Sequence, residues 1–222
     1  MALNNPSDIT CPVGQSHCPF LVEVTELRAQ WAELNEAIRT DALTGLYNFR
    51  RFQEALGLEL ERSDRTGIPT SLILLDLDHF KRVNDTWGHE TGNLVLKHLA
   101  QLMRAELRKL DIPCRYGGEE FAIILPGIPL AKAVRVAERL RSRIESSPLE
   151  RTTEGPLAFT ASLGVNCYWG SGHLQLESFI QQTDDWLYRA KREGRNRVGH
   201  PDLNLPESLS LVSNDEKRLL LS

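Results

Sequence analysis

Residues able to hold a phosphate-carrying cation crowd into two short stretches of this 222-residue chain. In Tyr116-Gly117-Gly118-Glu119-Glu120-Phe121, two glycines interrupt a strand-like run that starts at Cys114, and two acids follow them. An apolar run, Phe121 to Leu125, resumes at once. The pattern predicts a β-hairpin with bare backbone on one side of its tip and carboxylates on the other. Glycine tolerates positive φ and lets a ligand approach the main chain. Carboxylates beside such a tip suit a hard divalent cation. An ordinary tight turn with solvated acids would use the same residues, because glycine pairs punctuate turns. Upstream, the apolar run Leu72 to Leu75 ends in Asp76-Leu77-Asp78. A strand period of two puts Asp76 and Asp78 on one face. They fall near a strand end, where α/β folds place ligands.

Other segments complete an ordered set. They are Asp41-Ala42-Leu43-Thr44-Gly45-Leu46-Tyr47-Asn48, Phe80 through Asn84-Asp85 to Gly88-His89 and Gly92, Ser162-Leu163-Gly164-Val165, and Ala190-Lys191 to Gly194-Arg195-Asn196. With the two acidic stretches, they resemble the GGDEF domains, the diguanylate cyclases, over roughly residues 40 to 200. The resemblance implies a palm-like βαββαβ α/β fold of the nucleotidyl-cyclase kind, with a mainly antiparallel sheet flanked by helices. It implies condensation of two GTP into cyclic di-GMP and two pyrophosphates, with Mg²⁺, or Mn²⁺, as cofactor.

The same resemblance assigns roles. Asp76, Glu119 and the Leu77 carbonyl would hold the metal. Glu120 would be a further metal ligand or would help deprotonate the attacking hydroxyl; which glutamate is the base stays open. Glu119, Glu120 and Lys81 form the catalytic set. Lys81, Lys191 and Arg195 would meet the phosphates. Gly117, Gly118 and His89 belong to the substrate pocket, His89 as a structural hydrogen-bonding group rather than a catalyst. Asn84 and the residue at 93 would bind the guanine edge. Here the chain departs from the family it resembles, whose members usually carry Asp where this chain has Asn93. A carboxylate accepts from both guanine N1–H and N2–H₂, whereas Asn offers one acceptor and one donor. Relaxed or altered purine choice is therefore an alternative, as is a catalytically silent nucleotide-binding module. Arg108-Lys109-Leu110-Asp111 matches the family's RxxD product-binding motif, with five residues separating Asp111 from Gly117. Arg139 is a further candidate for that inhibitory site.

Elements must carry these residues. Phe20, Val24, Leu27, Trp31, Leu34 and Ile38 recur at spacings 4, 3, 4, 3, 4. Such heptad periodicity predicts a helix over 20–40 able to pair two copies as a homodimer, or to pack on the chain's own core. Helices are expected over 48–64, after Gly88, and over 129–146 and 176–193. Strands are expected over 70–77, as the glycine hairpin, as a pair around Ala158 to Tyr168, and near Arg197 to Gly199. The expected organisation is an N-terminal segment 1–40, a catalytic domain 41–200 and a tail 201–222. Composition is ordinary for an enzyme, with 41% hydrophobic and 25% charged residues. The net charge of −4 argues against nucleic-acid binding. No run of 18 apolar residues predicts a membrane span. No secretory signal is read at the N-terminus, and the cysteines at 11, 18, 114 and 167 suggest no disulfide framework, so a reducing cytoplasm is expected. Cys11, His17 and Cys18 could bind metal or sense redox state. Cys114 and Cys167 are expected in the core.

Overall fold

Leu72, Ile73, Leu74 and Leu75 are all buried, because the strand that carries them has a helical layer on each side. A strand covered on both faces reads as a continuous apolar run rather than an alternating one. The computed structural model describes residues 24–31, 39–150, 155–170 and 174–203. Its elements run α1 (Phe49–Thr66), β1 (Thr70–Leu77), α2 (Phe80–Trp87), α3 (His89–Glu106), β2 (Ile112–Gly117) and β3 (Glu120–Pro126). They continue with α4 (Leu130–Glu145), β4 (Ala161–Tyr168), α5 (Leu176–Arg192) and β5 (Val198–Gly199). The five-stranded sheet has the order β2-β3-β1-β4-β5. All pairings are antiparallel except β4 with β5. This is the expected βαββαβ arrangement with a short added edge strand.

Odd residues of β1 and β3, among them Ile73, Leu75, Phe121 and Ile123, pack with Val95 and Leu99 of α3 and Leu140 of α4. Even residues, Leu72, Leu74, Ala122 and Ile124, pack with Phe52 and Leu56 of α1 and Phe179 and Leu187 of α5. Each fully buried Phe or Leu contributes roughly 1.5–3 kcal/mol. The sheet is thus clamped between two helix pairs. Asn48 starts α1 by accepting the Arg51 N–H at 3.1 Å, a side-chain N-cap.

Three expectations need correction, and one element was not expected. The polar stretch after Asp78, where no element was expected, holds a short helix, α2, of which only Phe80 is buried. The strand pair before Tyr168 is a single strand, β4. Leu149 and Leu157 form only an isolated bridge, next to Pro156, which has no N–H to extend a ladder. The N-terminal helix is seen over 24–31, and Thr40 is instead bridged to Tyr47. Residues 20–23 and 32–38 lie outside the described residues, as do Cys11, His17, Cys18 and the tail beyond 203. Finally, Cys114 is fully buried, its thiol pushed up to about 12 by desolvation, but Cys167 is only half-buried. β5 pairs with just Leu163 and Gly164 of β4 and stops short of it.

Candidate active site

Strand register alone joins the two acidic stretches. Asp76, the penultimate residue of β1, pairs with Glu120 across the β1–β3 ladder. Its neighbour Leu77 donates its N–H to the Glu119 carbonyl at 3.4 Å. Asp76 and Glu120 continue the even-numbered face that α5 covers. The last turn of α5 brings Lys191 Nζ to 2.8 Å from Asp76 Oδ2. Two acids directly opposite on a sheet repel. Burial pushes the Asp76 carboxyl up; Lys191 counters this, and Glu119 and Asp78 add to the rise. Glu120 is also raised, first by desolvation and then by Asp76, with Lys191 opposing. Asp184 of α5 adds to the Glu120 shift; its pair with Asp185 sits on a helix far along the chain and was not singled out as a site residue.

This is a cluster short of positive charge. Among the described residues no three acids close into a ready-made cation cage. Mg²⁺ prefers few carboxylates, with phosphate and water in its other positions. Asp76, Glu119, Glu120 and the Leu77 carbonyl therefore fit a cation that arrives with a polyphosphate better than a resident structural ion. Lys191, already beside Asp76, would share that phosphate.

The hairpin tip is held by residues to which the sequence assigned no individual role. Arg115 Nε and Nη2 donate to the Gly118 carbonyl at 3.0 and 2.8 Å. Its Nη1 donates to both Asp41 oxygens at 3.2 and 3.1 Å. Asp41 also accepts the Thr44 N–H and hydroxyl at 2.8 and 2.7 Å. Desolvation would raise Asp41, but the Thr44 bonds and Arg115 outweigh it and hold the carboxyl below its ordinary value. Gly118 has φ +40°, so the tip uses glycine's left-handed freedom.

The other predicted residues divide. A Cβ on Gly92 would sit 2.0 Å from Asn84 Oδ1, so the Asn84 amide lies directly against the helix turn that carries Asn93. Asn93 is exposed, as is Lys81 near the start of α2. His89 is exposed at the first position of α3. Arg195 follows α5 in a left-handed conformation, φ 63°. Asp78 does not share the site with Asp76, because β1 ends at Leu77 and the chain turns. The Asp78 carboxylate instead accepts from Ser162 and Thr160 hydroxyls, each at 2.7 Å.

At the far end of α3, Arg108 is exposed and donates its backbone N–H to Asp111 Oδ2 at 2.8 Å. Asp111 is thus partly occupied by its own turn. Arg139 is engaged elsewhere: its Nε and Nη2 bind the Glu106 side chain and carbonyl at 2.7 and 2.8 Å. That pairing follows the preference for cations at helix C-termini.

Residues 38–197 match the family described as diguanylate cyclase, GGDEF domain. The chain belongs to that family. It is 42% identical over 161 residues to the response regulator PleD of Caulobacter vibrioides, covering 72% of this chain and 35% of PleD. It is 39% identical over 176 residues to the diguanylate cyclase DosC of Escherichia coli, covering 79% of this chain and 38% of DosC. The chain thus spans little more than a third of either relative. Among solved structures, it is similar to the coiled coil and GGDEF domain of DgcB from Caulobacter crescentus in complex with c-di-GMP. There the TM-score is 0.76 at 32% identity, covering 81% of this chain and 94% of that one. The GGDEF sheet and its flanking helices are those of this chain. No helix among its described residues is long and apolar enough to cross a membrane.

Proposed function

We propose that the protein is a diguanylate cyclase, joining two GTP molecules into cyclic di-GMP. The observation that carries this reading is the pairing of Asp76 with Glu120, with the Lys191 ammonium 2.8 Å from Asp76. In the reaction, a ribose 3′-oxygen forms a bond to an α-phosphorus and pyrophosphate leaves with the bridging oxygen. Such transfers need positioning and charge neutralisation more than covalent help. Bound Mg²⁺ would lower the pKa of the hydroxyl and neutralise the phosphates. Asp76, Glu119 and the Leu77 carbonyl would hold it. Glu120, exposed and paired across the ladder with Asp76, would be a further metal ligand or would take the proton of the attacking hydroxyl. Lys81, Lys191 and Arg195 would bind phosphate oxygens, and Gly117 and Gly118 would admit the nucleotide to the backbone. Incubation with Mg²⁺ and GTP, with products resolved by mass, tests the reading. Absence of cyclic di-GMP from a protein that binds GTP would favour a silent nucleotide-binding module.

One nucleotide per subunit requires two subunits to meet. Val24, Leu27 and Trp31 form a stripe on the helical segment 24–31, and Leu27 and Trp31 are 56% and 60% exposed. They do not pack on the chain's own core, which supports pairing with a second copy. Trp31→Glu is expected to abolish activity at low protein concentration and to restore it as concentration rises. Concentration-independent activity in that variant would refute the pairing.

Base choice rests on Asn84 and Asn93. Restoring a second acceptor is worth about a charged hydrogen bond, so Asn93→Asp is expected to lower the KM for GTP about tenfold. An unchanged or higher KM refutes this role. A wild type that accepts ATP or ITP alongside GTP would mark relaxed purine choice. For feedback, exposed Arg108 is free to fork onto a product phosphate or guanine. Arg108→Ala is expected to raise the inhibitory concentration of cyclic di-GMP about tenfold or more. Unaltered inhibition removes the RxxD site from the account.

A further inference from the structure

The chain leaves α5 through three consecutive residues with positive φ: Gly194 at 118°, Arg195 at 63° and Asn196 at 47°. Glycine does this freely. Arginine and asparagine do so at a cost, and such conformations persist only where the surroundings over-determine them. Here they do. Asp78 Oδ2 accepts the Asn196 backbone N–H at 3.0 Å. The Asn196 side chain donates to Glu145 Oε1 at 2.8 Å and accepts from Arg141 Nη1 at 2.9 Å. Arg195 donates its own N–H to the Ala190 carbonyl at 3.0 Å. The Arg195 guanidinium, by contrast, is exposed and has no ion pair among the described residues. Backbone restraint is concentrated on a residue whose side chain is left unengaged.

Asp78 is the other half of the device. It is 7% exposed, and both carboxylate oxygens are taken by Ser162, Thr160 and Asn196. It follows Leu77 directly, so it ties the end of β1 to the loop after α5. We infer that Asp78 and Asn196 form a latch that sets Arg195 at a fixed position relative to the carboxylate end of β1. Resting on the diguanylate cyclase reading, this makes them positioning residues for the triphosphate, neither touching it. Arg141 and Glu145 extend the latch onto α4, so the loop is fixed by the sheet and by the opposite helical layer as well as by α5.

Substitutions at Asn196 separate backbone geometry from side-chain contacts. Alanine and glycine both delete the side-chain bonds to Glu145 and Arg141, but only glycine adopts φ 47° freely. A competent loop that is populated a tenth of the time weakens apparent affinity tenfold. Asn196→Ala is therefore expected to raise both the KM for GTP and the calorimetric Kd for Mg²⁺-GTP about tenfold. Asn196→Gly is expected to recover most of that loss. Asp78→Asn, which retains an acceptor for the Asn196 N–H, is expected to bind nearly as Asn196→Gly does, and Asp78→Ala as Asn196→Ala does. Melting temperatures report folding in each case. The inference is overturned if the alanine variants bind Mg²⁺-GTP as the wild type does. It is equally overturned if glycine and alanine at 196 lose affinity alike, since side-chain contacts alone would then explain the loss. A wild type that binds Mg²⁺-GTP but makes no cyclic di-GMP defeats the functional reading instead, and the calorimetry still decides the latch.

Discussion

Replacement of Asp76 by asparagine is expected to cut cyclic di-GMP formation by at least about 10²–10³-fold, the scale for losing one preorganised charge contact at a reacting centre. The same change is expected to make the free protein more stable at neutral pH. The Asp76 carboxyl is raised mainly by burial, with Glu119 and Asp78 adding to it, despite its bond to Lys191. A carboxyl raised by folding binds its proton more tightly in the native state than in the unfolded one. Wild-type stability therefore increases as pH falls through that raised range, and is lower where the group is ionised. Asparagine is neutral throughout, so its melting-temperature advantage is largest near pH 7 and shrinks on acidification. Thermal melts across pH 4–8, paired with product assays, check both halves. A variant that is less stable at pH 7, or one that retains wild-type turnover, contradicts the assignment of Asp76 to an unneutralised cation site.

Arg115→Ala is the second large effect expected. The guanidinium joins the Gly118 carbonyl to Asp41, with four hydrogen bonds between 2.8 and 3.2 Å. Without it, the tip carrying Glu119 loses its tether while the β2–β3 ladder persists. Misplacement by about 1 Å can cost about 10²-fold in rate, so kcat is expected to fall by that order. Arg115→Lys should not restore it, because an ammonium cannot reproduce the forked geometry. Asp41→Asn is expected to give a smaller loss, since the bond to Gly118 survives. Single-turnover rates measure this; a lysine variant with wild-type kcat would show the clamp to be dispensable.

Much of the architecture could be read from the residues. The apolar run Leu72 to Leu75 and the turn at Gly117-Gly118 located β1 and the hairpin, since both patterns are set locally. The convergence of Asp76 and Glu120 required only a strand and a hairpin in register. What escaped was long-range or locally disguised. α2 buries only Phe80 of its own residues, so it carries no apolar stripe to read. Asp78 looked like a partner of Asp76 because the period of two was extended one residue past the strand's end. Asp184 and the Arg115–Asp41 clamp depend on side chains from distant parts of the chain, and spacing does not encode such meetings.

Gly92 has a consequence for how this protein can change over generations. The position is closed to every other amino acid while Asn84 keeps its place, because an added Cβ would overlap its amide oxygen at 2.0 Å. Gly88, with φ 81°, is similarly constrained at the helix entrance. Position 93, exposed at the next step of the helix, carries no such burden. A single-base codon change converts Asn to Asp there without disturbing any buried neighbour. On the proposed guanine-edge role of Asn93, selection on nucleotide preference would act through one surface side chain, while the scaffold beneath it drifts under separate rules.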